Sequence, residues 1–268
     1  MTHKLHRHET IVRLVREHGF MPVEGLARTL GVTAQTVRRD IGELCETGLL
    51  RRYHGGATPG EAAQNDAYLL QKSRRQNEKS RLAALIAAQI PDGASLFVGI
   101  GATMEAVAAA LAESRASLRI ITNNIHVAAL ASARSDYTVI ITSGVVRPVD
   151  GGVTGVATVD FINQFKADYA VLGAAAVEDD GSLLDYDYKE VCVMQAMMNN
   201  ARTRYLSIGH AAPARTALVR MASVTEFDSV FADRPVAPSV AEKLAGAGIP
   251  CHIAEGQAAQ GRSRLKTL

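Results

Sequence analysis

Cysteine is scarce in this chain of 268 residues: Cys45, Cys192 and Cys251 are all there is. They are odd in number, far apart and never spaced as Cys-x-x-Cys. That excludes a disulfide framework and a cysteine zinc site, and it fits a reducing compartment. No uninterrupted apolar run approaches the roughly 18 residues that a membrane span requires. The opening residues, Met1-Thr2-His3-Lys4-Leu5-His6-Arg7-His8, lead into no apolar stretch, so no signal peptide is expected. These absences together predict a cytoplasmic protein with no membrane partner. His3, His6 and His8 alternate and could bind a metal, but a frayed, solvated terminus is the preferred reading, and no metal is expected. Net charge is also low, +2, yet it is unevenly placed. Residues 1–60 hold nine Lys/Arg against six Asp/Glu, with five histidines besides; the remainder holds twenty against twenty-one. A basic head on a neutral body fits a nucleic-acid-binding module joined to something with another task.

The head carries the clearest pattern. Val37, Ile41 and Leu44 recur at helical spacing and share one face, which turns Gln35, Arg38, Arg39 and Glu43 away from it. Thr33 suits the N-cap of that helix, and Gly31 the tight turn before it. Val23, Leu26, Ala27 and Leu30 form an apolar stripe on a preceding short helix, and Ile11, Leu14 and Val15 on a first one, from about Arg7 to His18. Two short amphipathic helices joined through a glycine turn predict a helix-turn-helix. Its second helix would offer Gln35, Thr36, Arg38 and Arg39 to a major groove, where Arg reads guanine and Gln reads adenine. The bland alternative is a helical hairpin with a solvated basic face. Leu49 to Ala57, with Arg51, Arg52, Tyr53, His54 and the Gly55-Gly56 pair, then predicts a β-ribbon wing. On it Arg51, Arg52 and His54 would lie along a phosphate backbone. The expected divisions are a DNA-binding domain at 1–57, a polar linker at 58–76, an α/β domain at 77–257 and a frayed tail at 258–268.

Beyond residue 77, β-branched runs alternate with alanine-rich helical stretches, which predicts a mostly parallel sheet covered by helices on both faces. Ligands of such folds sit beyond the carboxyl ends of the strands. There the chain places Gly99-Ile100-Gly101-Ala102-Thr103, then Thr122-Asn123-Asn124, then Ser143-Gly144 with Arg147 and Gly151-Gly152. No Gly-Lys-Thr/Ser follows the first loop and it lacks the third glycine of a dinucleotide fingerprint, so no nucleotide cofactor is expected. Small polar groups and glycines at three strand ends, with a cation nearby, point to a phosphate pocket. A further polar cluster, Asp185, Tyr186, Asp187, Tyr188, Lys189 and Glu190, precedes an apolar helix. It would bind a ligand, act as acids and bases, or simply cap the helix.

Arg7, Ile11 and Val15, then Thr33-x-x-Thr36-Val37-Arg38-Arg39-Asp40-Ile41 and Arg51-Arg52-Tyr53-His54-Gly55-Gly56-Ala57, resemble the signature of the DeoR family of bacterial transcriptional regulators. So do Glu78-Lys79-Ser80-Arg81, Ile121-Thr122-Asn123-Asn124, Asp150-Gly151-Gly152 and Gly181 to Val191. The resemblance implies a repressor and no enzyme. It implies an effector domain similar to sugar-phosphate isomerases, a homo-oligomer (dimer or tetramer) on double-stranded operator DNA, and a phosphorylated sugar or polyol as effector, with glycerol-3-phosphate the best match. Gly101, Ala102, Thr103, Asn123, Gly152 and Lys189 fall where that family's effector pocket lies. The wider expected effector set adds Thr122, Asn124, Gly144, Arg147, Asp185 and Glu190. The chain departs from the pattern at Gly99, at Ala102 and at Gly209-His210-Ala211-Ala212-Pro213. The rival readings are an isomerase-type enzyme fused to a DNA-binding head, with Asp185, Asp187 or Glu190 as base, and an effector-blind DNA-binding regulator.

Overall fold

The computed structural model describes residues 2–18, 20–53, 55–60, 75–209 and 217–254. His54, residues 61–74 of the expected linker, His210–Pro213 and the expected tail lie outside the described residues. The chain forms two compact units.

The first unit consists of α1 (Thr2–His18), β1 (Met21–Pro22), α2 (Val23–Leu30), α3 (Ala34–Glu46), β2 (Leu50–Tyr53) and β3 (Gly56–Pro59). Its core is the predicted set of stripes: Ile11, Val15, Leu26, Val37, Ile41 and Leu44 are buried together. Gly31 turns the chain between α2 and α3 in the left-handed region, at φ 64°, and Thr33 caps α3 by accepting from the Thr36 amide. β2 and β3 form the antiparallel ribbon, Arg51 opposite Thr58 and Tyr53 opposite Gly56, and β1 pairs along the other side of β3. A side chain at Gly56 would stand 2.3 Å from the Met21 carbonyl oxygen, so only glycine lets β1 lie against the ribbon. The ribbon runs through Pro59, two residues past the expected boundary.

The N-terminus departs from expectation. α1 begins at Thr2, five residues earlier than the periodicity suggests, because its first turns have tertiary partners. Lys4 Nζ lies 2.7 Å from Glu43, and Arg7 and His8 both reach Asp40 of α3. The terminus is helical and docked, and His8 is spent on a carboxylate.

The second unit is built on seven parallel strands in the order β15-β14-β12-β9-β4-β5-β6. Their ranges are β4 (Ser95–Val98), β5 (Arg119–Thr122), β6 (Thr138–Ile141), β9 (Ala167–Gly173), β12 (Ala201–Ile208), β14 (Ser229–Ala232) and β15 (Cys251–Ile253). Side chains alternate between two cores. Leu96, Val98, Ile120, Val171, Tyr205 and Phe231 pack beneath α4 (Gln76–Ala88), α5 (Ala102–Ser114) and α6 (Ile125–Ala131). Phe97, Ile121, Ala170, Leu172, Leu206 and Val230 pack with α7 (Val156–Ile162), α8 (Tyr188–Asn199) and α9 (Pro238–Gly246). Burial on both faces is why these strands read as continuous apolar runs. Sequence periodicity shows neither the hairpin of β7 (Val145–Val146) and β8 (Val153–Thr154) nor the sheet of β10 (Ala176–Val177), β11 (Ser182–Asp185) and β13 (Val219–Ser223). Those strands are only two to five residues long, too short to show a period, and β13 pairs with β11 from about forty residues further along the chain.

Candidate nucleic-acid interface and effector site

The buried face of α3 fixes the outward one. Gln35, Arg38 and Arg39 are exposed, each on the side opposite Val37 and Ile41. Arg38 lies 3.4 Å from Glu24 of α2 and Arg39 3.5 Å from Glu43, one turn on. Such exposed pairs are worth at most about 1 kcal/mol, so either guanidinium can exchange its carboxylate for a base edge or a phosphate. Thr36 differs from expectation. Its hydroxyl is 2.9 Å from that of Thr33, so both belong to the cap as much as to any DNA surface. The two wing arginines do not lie side by side either. Adjacent strand residues point to opposite faces, and Arg52 reaches back over Gly42 of α3, whereas Arg51 stands opposite Thr58 on the ribbon.

Sequence reasoning gave Asp40 no role. It is 1 % exposed, accepts from Arg7 Nε at 2.6 Å and Nη2 at 3.1 Å, and lies 3.1 Å from His8 Nε2. Burial alone would push its carboxyl up. The bonds and charges of Arg7 and His8 outweigh burial and leave it below the usual range, and the same bond raises Arg7. A charged residue one position before Ile41, inside an apolar pattern, was the available signal.

In the second unit the strand ends converge as the fold requires. Thr122 Oγ1 donates to the Val98 carbonyl at 2.7 Å and accepts from the Asn124 amide. Asn123 Nδ2 donates to the Val153 carbonyl, and the Val153 amide donates to Asn123 O at 2.6 Å. Asn124 bridges Gly152 and caps α6, its Oδ1 accepting from the His126 and Val127 amides. Gly101 starts α5 at φ 120° with open space where a side chain would be, and Gly209 at the end of β12 faces Thr103. Gly144 is obligatory: an added Cβ would lie 2.4 Å from Thr158 Oγ1. Four buried polar atoms here, Asn123 Oδ1, Asn124 Nδ2, Thr142 Oγ1 and Ser207 Oγ, have no hydrogen-bond partner. Buried polar atoms are normally satisfied, so orphans gathered at one end of a parallel sheet mark a place built for a ligand or ordered water.

Arg147, expected as a cation for phosphate, donates to Asp187 at 3.2 Å and to Glu190 at 2.5 Å. Its charge is matched by protein carboxylates, which tie the β7–β8 hairpin to the start of α8. Asp185 is buried beside them. Burial pushes its carboxyl up, and the Tyr186 amide and the Arg147 charge only partly pull it back. Asp187 caps α8 through the Lys189 amide, and Lys189 itself is exposed. Glu105, in the first turn of α5, is buried within electrostatic reach of Lys79 on α4. Burial lowers the Lys79 ammonium, against the pull of Glu105 and Glu78. The sequence pattern did not single out this pair, although Lys79 stands in a stretch that carries the family resemblance.

Two family models match the chain: a DeoR-like helix-turn-helix domain over residues 7–61 and a DeoR C-terminal sensor domain over residues 74–234. The chain belongs to the DeoR family. The glycerol-3-phosphate regulon repressor of Escherichia coli K12 is 41 % identical over 238 residues, covering 89 % of this chain and 94 % of that protein. The HTH-type transcriptional repressor CsqR of the same organism is 37 % identical, covering 85 % and 87 %. Among solved structures, ribose 5-phosphate isomerase A from Methanocaldococcus jannaschii overlaps half of this chain at 15 % identity and a TM-score of 0.36. In DeoR terms the first unit is the helix-turn-helix domain, and the constellation at the strand ends belongs to the sensor domain. No helix among the described residues is long and apolar enough to cross a membrane.

Proposed function

We propose that this DeoR-family protein is a cytoplasmic repressor whose grip on operator DNA is set by a phosphorylated sugar or polyol, glycerol-3-phosphate foremost. The observation that carries the reading is the pairing of an exposed Gln35/Arg38/Arg39 face on a capped helix with a sensor unit that gathers orphaned polar atoms at its strand ends. Gln35, Arg38 and Arg39 read bases, and Thr33 and Thr36 hold the helix and touch the backbone. Arg51 and Arg52 supply salt-dependent affinity. The glycine loop at Gly101–Thr103 receives the phosphate with its amides and the N-terminus of α5. Asn123 and Asn124 receive hydroxyls. Arg147, already paired, positions the hairpin around the ligand. Coupling between effector and DNA in such systems amounts to about 1–3 kcal/mol and is reciprocal.

The test is operator anisotropy on DNA from upstream of the protein's own gene, with glycerol-3-phosphate, inorganic phosphate and fructose phosphates titrated separately. Release by glycerol-3-phosphate alone supports the reading. DNA binding that no phosphate ester alters would leave an effector-blind regulator. Arg38→Ala should cost about 1–3 kcal/mol at one base pair and relax specificity there; equal binding of operator and scrambled DNA by both proteins would remove α3 from the groove. One feature favours the enzyme reading: Asp185, a buried carboxyl held above its ordinary range, has the character of a general base. Incubation with ribose 5-phosphate decides it, since ketose formation abolished by Asp185→Asn would make the sensor a catalyst.

A further inference from the structure

Charge is set unevenly around the strand ends of the sensor unit. The Asn123–Asn124 turn is tied to the β7–β8 hairpin by the Asn123 bond to the Val153 carbonyl and by the Asn124–Gly152 bridge. On that hairpin Arg147 donates to Asp187 and Glu190 at the start of α8, and Asp185, 8 % exposed, feels the same guanidinium. This corner therefore gathers three carboxylates about one guanidinium. Lys189, exposed and in no ion pair among the described residues, still leaves it without a surplus cation. The Glu190 side chain is only 12 % exposed, so water and salt screen its charge poorly. The buried atoms beside the hairpin that have no partner are neutral. Asn123 Oδ1 can accept, Asn124 Nδ2 can donate, and Thr142 Oγ1 can do either. A hydroxyl matches both kinds of group, since it donates, accepts and carries no charge. An anion in the same corner would meet like charge with no cation left to offset it.

We infer that the sensor selects phosphate esters whose far end is an uncharged hydroxyl, and rejects those whose far end is a carboxylate or a second phosphate. The inference rests on the effector reading above, which puts the phosphate at Gly101–Thr103; it adds what the other end of the ligand must be. Asp187 and Glu190 determine the selection, because by engaging Arg147 they withdraw the cation that a second anion would need.

Isothermal titration calorimetry on the full chain tests this with three esters of the same carbon count. Glycerol-3-phosphate has two free hydroxyls, 3-phosphoglycerate has a carboxylate in place of the terminal alcohol, and propyl phosphate has no hydroxyl. The wild type should bind glycerol-3-phosphate about a hundredfold more tightly than 3-phosphoglycerate. It should bind propyl phosphate about tenfold more weakly than glycerol-3-phosphate. Glu190→Gln releases Arg147 from one carboxylate and should shrink the first gap to about tenfold or less. Circular dichroism checks the fold of the variant. Should it unfold, the wild type decides alone: fructose 1,6-bisphosphate should bind about a hundredfold more weakly than fructose 1-phosphate. Equal affinity of glycerol-3-phosphate and either other three-carbon ester, or an unchanged gap in folded Glu190→Gln, overturns the inference. Operator anisotropy with the same esters separates it from the repressor reading. Release by 3-phosphoglycerate as readily as by glycerol-3-phosphate keeps the regulated repressor and rejects the selection. Selective binding that leaves operator affinity unaltered keeps the selection and rejects the regulation. If no ester binds, both fall.

Discussion

Asp40→Ala removes the buried carboxylate of α3 that hydrogen-bonds Arg7 and His8. Asp40 is almost fully buried, and the Arg7 side chain is 23 % exposed. Breaking a fully buried pair costs about 3–5 kcal/mol because the surviving charge is stranded. Partial access of water to Arg7 reduces the expectation to about 2–3 kcal/mol. Small domains have only about 0.05–0.15 kcal/mol of stability per residue, so the loss is a large share of what a head of this size holds. Hydrogen exchange on the full chain reads it directly. Amides of Ile41 to Leu44 should lose about thirtyfold to a hundred-and-fiftyfold in protection, while those of Val171 and Leu206 in the sheet stay unchanged. Loss of less than about threefold at α3 would refute the reasoning. The pH dependence carries its own sign. The folded Asp40 carboxyl lies below its unfolded value, so its contribution is complete above the unfolded pKa, about 3.9, and is lost as pH falls through the folded one. Protection of α3 attributable to Asp40 should be level from pH 7 to 5 and fall below about pH 4.

Thr33→Ala removes the cap of α3 and should cost about 1 kcal/mol in head stability, read from the same amides; an unchanged α3 would mean the Thr33–Thr36 bond contributes nothing. Arg51→Ala should weaken operator and scrambled DNA equally and lower the salt slope by about one, whereas a loss confined to operator would make Arg51 a base reader. Gly144→Ala forces a Cβ to within 2.4 Å of Thr158 Oγ1 at φ 142°. It should lower the Tm of the sensor unit, by a cost of about 2 kcal/mol or more; an unaltered Tm would show that the hairpin yields freely.

What the sequence determined by itself is local. The helix-turn-helix follows from contacts three and four residues apart and from one glycine and one threonine at fixed offsets, so Val37, Ile41 and Leu44 declare their shared face without a fold in hand. The parallel sheet was legible because strands buried on both sides must be apolar throughout. The strand-end rule then pointed to Gly101, Asn123 and Gly152 before any coordinates. Tertiary structure alone decided what depends on partners far apart in the chain. α1 starts at Thr2 because Lys4, Arg7 and His8 find Glu43 and Asp40 more than thirty residues on. Arg147 is a tie and not an open cation because α8 brings Asp187 and Glu190 to it across forty residues. Charges signal in sequence only that they need company. Which company they keep is set by the packing that buries them, since a charge removed from water binds the nearest opposite charge the fold supplies.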